Sequence, residues 1–465
     1  MKSPQYLSSV VLAAVVAFVT LPHSTATPFA YNPFMVNECA ISQLSHKSPA
    51  FGAVEPDLDE VYSTYVEFAY PVLTDNKPVN RKLITLRNKF TNKLDATSSQ
   101  TNADIERLEN FFGTTLEMNA KNLAANAAYY VMPWPSSYWA VYQDGINHRR
   151  NSDESSASEK YATAFGLNAT EFMGKISETS GVLSMKSRKQ CTTVVDCMNL
   201  NDESKCAIRE GEQVGYCIPS WFGICHAWSP AALLEPEPRC VVEKNGVTFH
   251  PMDIKALLTQ VYDDGQVETV FTGARFDKAD STATKDQFGR YIDGSRRDLG
   301  PGYMHVALTN IIGRFNSSVV LDVAGGAEVW NQPVYNYEVV AQTELSLTEA
   351  ANQFYNQNTY PFNSEAKRIM YTEMKVSWMV ETFEDGGLVV SGRASEYMNS
   401  KVYTYLLELD DSYNILGGEW VGQSNDDHPD FLWLPKARPS MDTITNVGIS
   451  YKNVRELLDE ATNCA

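Results

Sequence analysis

The most informative stretch of the sequence is Trp221-Phe-Gly-Ile-Cys225-His-Ala-Trp-Ser-Pro-Ala-Ala-Leu-Leu234, which surrounds a single cysteine. Cys225 follows a glycine and a large apolar residue, and a short run of helix-forming residues comes after it. A cysteine at a helix entry lies near unpaired backbone N–H groups, which favour the thiolate. Ser229 and Pro230 suit the cap and the first position of a helix, so we expect the helix to begin after Cys225. The stretch predicts a cysteine nucleophile at a helix entry.

The cysteine count leaves a second interpretation of Cys225 open. The chain has eight cysteines, at positions 39, 191, 197, 206, 217, 225, 240 and 464. Six of them fall in residues 191–240, which marks a disulfide-stapled block whose connectivity the spacing does not fix. Cys225 is therefore either a nucleophile or another half-cystine. If it is a nucleophile, one more cysteine is unpaired or pairs transiently, and Cys240 is a candidate for holding Cys225 oxidised in a precursor.

His305 and Asp322 are the candidates for the general base and the carboxylate that orients it. Residues 304–312 and 319–323 are predicted strands joined by a short hairpin, so a histidine that begins one and an aspartate that ends the next can meet at one end of the sheet. His428 is the main alternative base. The backbone N–H of Cys225 and the side chains of Trp221 and Gln213 are candidate oxyanion donors.

The N-terminal residues predict a secreted protein, and the net charge disfavours binding to nucleic acid. Residues 1–26 have the basic start, the short apolar run and the small residues of a secretory signal, and no later stretch is long and uncharged enough to span a bilayer. The net charge of -19 disfavours binding to nucleic acid or to an anionic membrane. Asn168 and Asn316 begin glycosylation sequons, which should lie on surface loops.

The pattern along the chain predicts an α+β fold with a helical N-terminal part and antiparallel sheet. Residues 27–100 are interpreted as a leader or pro-segment, residues 101–345 as a catalytic core that contains the block 191–240, and residues 346–465 as a β-rich part packed on that core. Helices are expected within residues 102–128 and at 253–261. Strands are expected at 267–272 and, in the C-terminal third, at 368–382 and 401–409.

Long motifs show a resemblance to a known family. One stretch resembles the first half of the short surface epitope of the oomycete (Phytophthora-type) transglutaminase elicitors, through which plants detect these secreted enzymes. This stretch is Val329-Trp-Asn-Gln-Pro-Val334. Residues 335–337 read Tyr-Asn-Tyr where that epitope has Arg, Gly and Phe. Three further stretches match this family: Pro133-Trp-Pro-Ser-Ser-Tyr-Trp139, the passage around Cys225, and Gly417-Gly-Glu-Trp-Val-Gly422. The resemblance covers most of the chain after the signal.

The resemblance implies a protein-glutamine γ-glutamyltransferase with a papain-like arrangement of catalytic groups, made as a precursor. Its substrates would be protein glutamine and lysine side chains, and a plant surface receptor is an expected partner. Calcium dependence is a family-level inference, with clustered acids such as Asp263, Asp264, Asp293 and Asp298 behind it and no EF-hand loop. Two alternatives remain: a papain-like protease, which shares the acylation step, and a catalytically silent secreted elicitor.

Overall fold

The computed structural model describes residues 102–464 except Ser152, Gln266, Asp277 and Ala279. The predicted signal, the predicted leader and Cys39 lie outside the described residues. Within this part, no helix is long and apolar enough to cross a membrane.

Nine α-helices are found in the described part of the chain, with one π-helical turn after the seventh. They are α1 (Ala103–Phe112), α2 (Ala157–Ala164), α3 (Ala169–Ser180), α4 (Cys225–Leu234), α5 (Pro251–Asp264), α6 (Gly294–Arg297), α7 (Pro301–Leu308) with the π-helix Thr309–Arg314, α8 (Leu347–Tyr355) and α9 (Tyr451–Thr462). Short 3-10 turns, among them Val194–Asp196 and Met198–Leu200, connect other elements.

The described residues also form thirteen strands. They are β1 (Asn126–Ala128), β2 (Gln190–Cys191), β3 (Ser204–Ala207), β4 (Gly215–Pro219), β5 (Val242–Lys244), β6 (Val247–Phe249), β7 (Thr269–Gly273), β8 (Val320–Asp322), β9 (Asn331–Leu345), β10 (Arg368–Met379), β11 (Met398–Leu409), β12 (Ile415–Trp420) and β13 (Phe431–Pro435).

Eight of these strands form one antiparallel sheet in the order β12-β11-β10-β9-β8-β13-β7, with β1 paired to β9. The remaining strands form a three-stranded sheet, β2-β4-β3, and the hairpin of β5 and β6. The boundary predicted at residue 345 falls between β9 and β10, which are neighbours in the large sheet. The α+β class is confirmed.

Two large apolar clusters make up most of the core. One joins α4, α5 and α9 to the loop that contains Trp134 and Trp139. The other lies between α7 and the inner side chains of the large sheet, such as Met374 and Leu432. Helix α4 lies between these regions, because its neighbours are α5 on one side and β9 on the other. The predicted nucleophile is therefore placed where the helical half meets the sheet.

Most elements predicted from the pattern are present, and one important element is not. Helix α5 and strands β7, β10 and β11 match the expected positions. Residues 304–312 were expected to form a strand, but they belong to α7 and the π-helix that follows. Pro301 stands at the helix start, where its fixed backbone angle suits the first turn. A continuous apolar run does not distinguish a buried helix from a buried strand, since both bury all their faces.

Candidate active site

Cys225 is the first residue of α4, and its side chain is completely buried. The expectation that the helix begins after Cys225 is wrong, because the backbone N–H groups of Ala227 and Trp228 already bond to the carbonyl of Ile224. Burial of Ala227 and Trp228 stabilises this first turn. The cap residue Ile224 offers no side-chain hydrogen bond, and no acidic residue lies in the first turn. The positive end of the helix dipole is therefore directed at Cys225.

The sulfur of Cys225 takes part in a disulfide bond. The other six described cysteines pair among themselves, as Cys191–Cys206, Cys197–Cys217 and Cys240–Cys464. The hypothesis that Cys240 holds Cys225 oxidised is therefore wrong. Cys240 instead ties the end of the chain to the segment after α4. Because only a thiolate attacks an amide, the predicted nucleophilic role of Cys225 would require its disulfide to be reduced first.

Hydrogen bonds at both sides fix the position of α4. The Ser229 hydroxyl, one turn after Cys225, donates to the Asn331 carbonyl oxygen in β9 at 2.6 Å. The Ile224 N–H donates to the Tyr138 carbonyl oxygen at 2.8 Å. Trp228 Nε1 donates to the Trp134 carbonyl oxygen at 3.2 Å. These bonds hold the entry of α4 against the loop 133–139 and against the start of β9.

His305 is buried in α7, where its Nδ1 lies 2.7 Å from the hydroxyl oxygen of Tyr405. Burial lowers the pKa of His305 to about 4, so the ring is neutral at neutral pH. In the described structure its side-chain hydrogen-bond partner is the Tyr405 phenol and not the predicted Asp322. The helical placement explains the difference, because a histidine inside α7 faces the strand β11 and not the end of a hairpin.

Asp322 ends β8 as predicted, but its carboxylate holds the turn that follows. Its Oδ1 accepts the N–H of Trp330 at 2.7 Å and the N–H of Ala324 at 3.3 Å. Its Oδ2 is buried without a hydrogen-bond partner in the described structure. Burial raises the pKa of Asp322 to about 7, and burial together with the nearby Asp322 carboxylate raises the pKa of Asp430. The structure therefore does not join His305 and Asp322 by a hydrogen bond.

The other histidine candidates have defined partners. Both ring nitrogens of His428 lie within 2.9 Å of backbone carbonyl oxygens, those of Ser424 and Arg296, and the ring stacks on Trp420. These contacts indicate a structural role. His226 follows Cys225 in the chain, and its Nε2 lies 2.8 Å from Asp263 Oδ1. This histidine–carboxylate pair was not predicted, because the sequence gives no signal that α4 and α5 are neighbours.

The two predicted oxyanion side chains are not placed at Cys225 by any hydrogen bond in the described structure. Gln213 is exposed near the end of the β3–β4 hairpin, and the Trp221 ring packs on Phe222. Trp139 is an additional candidate donor: it is buried in the same large cluster as Cys225, and its Nε1 has no hydrogen-bond partner among the described residues. The sequence grouped Trp139 with packing aromatics, so only the tertiary structure shows this donor.

The comparisons with known proteins agree with this architecture. The model of the transglutaminase elicitor family matches residues 104–464. The chain belongs to the transglutaminase elicitor family. It is also similar to the crystal structure of the GP42 transglutaminase from Phytophthora sojae, with 48% sequence identity and a TM-score of 0.72. That match covers 79% of this chain and 99% of the GP42 chain. The comparison with curated proteins gave no match.

The stretch that resembles the elicitor epitope is mostly buried, in contrast to the expected surface position. Val329, Asn331, Gln332, Pro333 and Val334 are buried, and Trp330 is partly buried. The stretch runs into β9, between β8 and β10. Asn331 accepts a hydrogen bond from Trp433 Nε1, and Gln332 donates to the buried Glu381 at 2.7 Å. Membership of the elicitor family thus does not depend on exposure of this stretch in the folded protein.

The acids suggested for calcium do not form one site. Asp263 is bonded to His226, while Asp264 accepts from Asn446 and the backbone of Val447. Asp293 instead caps α6. Among the described residues, the one group of three potential ligands is Cys191, Cys197 and Cys217, and these cysteines are all in disulfides. In the described part of the chain these acids are not part of a group of three or more potential ligands, and calcium dependence stays a prediction. The predicted glycosylation sites Asn168 and Asn316 are exposed, as a sequon requires.

Proposed function

We propose that this family member is a secreted protein-glutamine γ-glutamyltransferase that forms isopeptide crosslinks. The observation that carries the proposal is the position of Cys225 as the first residue of α4, with no side-chain cap competing for the positive helix end. The positive helix end therefore lies where the thiolate of a released Cys225 would form. The family match and the similarity to GP42 transglutaminase support the same chemistry.

The reaction begins after an external dithiol reductant has reduced the Cys225 disulfide: the S–S bond breaks, Cys225 and its partner cysteine become thiols, and the dithiol is oxidised to a disulfide. The thiolate attacks the side-chain carboxamide carbon of a protein glutamine, and the negative charge develops on the carbonyl oxygen. The backbone N–H of Cys225 and Trp139 Nε1 are the donors proposed for this oxygen. The C–N bond breaks, ammonia leaves with a proton from a general acid, and a thioester forms. A lysine amine then attacks the thioester, gives up a proton, and restores the thiolate with a new isopeptide bond.

Two histidines are candidates for the proton transfers. His305, predicted from the order Cys, His, Asp, has Tyr405 as its ring partner. His226 already has a carboxylate partner, Asp263, which is the arrangement that orients a catalytic imidazole and stabilises its charged form. Parallel replacement of His226 and of His305 by Gln identifies the base. Loss of at least roughly 100-fold in kcat is expected for the base alone, within the usual range for general catalysis.

The disulfide at Cys225 favours one alternative, a catalytically silent elicitor. The deciding experiment measures incorporation of a labelled primary amine into a glutamine-rich protein, before and after mild reduction, with wild type and Cys225→Ala. Incorporation that appears on reduction and is absent from the variant supports the transferase. New peptide termini without amine incorporation indicate a papain-like protease. No reaction by reduced, folded wild type supports the silent elicitor.

A further inference from the structure

Lys255 is a fully buried charged side chain in α5. Its Nζ donates hydrogen bonds to Glu237 Oε1 at 2.8 Å and to the Pro135 carbonyl oxygen at 2.9 Å. The carbonyl oxygen of Asp385 lies 3.5 Å from the same nitrogen. Glu237 follows α4, Pro135 belongs to the loop 133–139, and Asp385 lies between β10 and β11. Three segments that are distant in the chain therefore meet at one ammonium group.

The charge of Lys255 has a cost that an apolar side chain would avoid. Moving an ammonium group out of water is unfavourable, and a buried partner such as Glu237 offsets this cost only in part. Burial accordingly lowers the pKa of Lys255, while the Glu237 carboxylate raises it. What a hydrogen-bonded charge adds over an apolar residue is a defined position for each group that it binds.

The Pro135 carbonyl lies between two contacts that the same loop makes with the nucleophile helix. Trp228 Nε1, in α4, donates to the Trp134 carbonyl oxygen at 3.2 Å. The N–H of Ile224, the residue directly before the candidate nucleophile, donates to the Tyr138 carbonyl oxygen at 2.8 Å. The loop residue that the lysine holds is thus flanked by both contacts. A movement of this residue would displace the entry of α4.

The backbone of the loop 133–139 approaches the chain just before α4 very closely. A Cβ built on Gly223 would lie 2.5 Å from the Tyr138 carbonyl oxygen, so a larger residue does not fit there. Trp139 has a φ of 49°, in the left-handed region that a bulky residue rarely adopts. Such a conformation persists where neighbouring contacts hold it. The loop therefore needs anchors, and Lys255 provides one of them.

We propose that Lys255 is a positioning residue for the catalytic centre. Through the Pro135 carbonyl it holds the loop 133–139 against the entry of α4. This contact sets where the Cys225 sulfur and Trp139 Nε1 lie relative to a bound glutamine. The effect on catalysis rests on the proposed transferase function, whereas the hold on the loop does not. Reacting groups must be closely aligned, and a misplacement of about 1 Å costs about 100-fold in rate.

Two double variants separate this role from that of an ordinary buried ion pair. The test variant combines Lys255→Met with Glu237→Gln, so that neither charge stays buried without its partner. The matched control combines Lys160→Met with Asp253→Asn. It removes a second buried ion pair of α5, in which Lys160 Nζ lies 2.6 Å from Asp253 Oδ2 and which joins α5 to α2. Both variants lose one buried ion pair of the same helix, and they differ in the segment that is released.

Hydrogen exchange of the protein with its disulfides intact, followed by mass spectrometry, tests the hold on the loop directly. Peptides that cover residues 133–141 and 222–228 should exchange at least roughly tenfold faster in the test variant, since local opening no longer breaks the bond to the lysine. Peptides from β10 and the urea midpoint should stay unchanged. Wild-type exchange in the test variant overturns the proposal, and so does equal acceleration in the control. Acceleration throughout the chain with a lower urea midpoint shows a purely stabilising pair and overturns it as well.

A catalytic measurement on the reduced proteins separates this proposal from the proposed function. In the test variant, kcat for amine incorporation should fall at least roughly tenfold, with KM for the glutamine substrate changed by less than about twofold. The control should keep both values. An unchanged kcat, or a loss confined to KM, overturns the positioning role. If reduced wild type incorporates no amine, the transferase proposal fails, and the exchange experiment still decides whether Lys255 holds the loop.

Discussion

Tyr405 and His305 form a buried pair in which the tyrosine hydroxyl oxygen lies 2.7 Å from the histidine Nδ1. The pair joins α7 to β11, the second strand from the edge of the large sheet, and Tyr405 belongs to the second apolar cluster. It occupies the ring nitrogen that a triad carboxylate would otherwise hold. The predicted triad of Cys225, His305 and Asp322 can therefore be tested by single replacements of Tyr405 and Asp322.

Replacement of Tyr405 by Phe leaves His305 Nδ1 without its buried partner. We expect the free energy of unfolding to fall by about 1–3 kcal/mol, since the desolvation cost of the ring nitrogen is no longer offset. Urea unfolding measures this change. Tyr413→Phe is the control, because Tyr413 bonds to Glu344 at the exposed surface and should cost less. A Tyr405→Phe protein as stable as wild type contradicts the hydrogen bond.

Two replacements of Asp322 separate an anchoring role from a catalytic one. Asp322→Asn keeps an oxygen for the N–H groups of Trp330 and Ala324 and removes a charge beside Asp430, so stability should be unchanged or higher. Asp322→Ala loses both hydrogen bonds and should be destabilised by about 2 kcal/mol. Amine incorporation by the folded Asp322→Asn protein should persist. A loss of roughly 100-fold or more in that variant assigns Asp322 to the catalytic machinery after all.

Glu381 should make stability depend on pH. Burial raises its pKa to about 7, so the folded protein keeps a proton that the unfolded chain loses near its ordinary value. The stabilising contribution of Glu381 is therefore fully present below about pH 4.5 and is lost as the pH rises through about 7, by up to about 3 kcal/mol. Unfolding at about pH 5 and about pH 7.5 should show that Glu381→Gln lacks this decline. The exposed Glu338→Gln should retain it, and identical slopes in all three proteins contradict the prediction.

The Cys240–Cys464 disulfide should stabilise the fold more than the Cys191–Cys206 disulfide. The first closes a separation of 224 residues and the second closes one of 15. Chain entropy gives about 5 and about 3 kcal/mol for loops of these sizes. Denaturant unfolding of the two paired Cys→Ser variants tests the order. A larger loss for the short loop would show that native packing, and not the unfolded chain, sets the effect.

Burial of the epitope stretch should hide it from antibodies. An antibody raised against a peptide of residues 327–339 should bind the reduced, heat-unfolded protein at least roughly tenfold more tightly than the native protein, since native binding requires β9 to leave the sheet. Competition with the soluble peptide is the measurement. A second antibody against exposed residues 208–214 should bind the native protein well. Equal binding of the first antibody to both states contradicts the buried position.

The order of residues was enough to establish the family, the α+β class and the position of the candidate nucleophile. A motif is defined by the order of its residues. Strands such as β10 and β11 are predicted by the alternation of apolar and polar residues within one segment. The sequence also indicated a disulfide-stapled block before Cys225. None of these inferences requires knowledge of which distant segments meet.

The disulfide partners, the surroundings of His305 and the burial of Gln332 depend on contacts between segments that are distant in the chain, and these contacts are seen in the folded structure alone. Connectivity among eight cysteines depends on which loops approach, and spacing does not encode it. His305 lies in a fully apolar run, so the helical α7 and its contact with Tyr405 come from packing against the sheet. From its residue type alone, Gln332 would be expected on the surface. It is buried because β8 and β10 pair with β9 on both sides and Glu381 satisfies its amide.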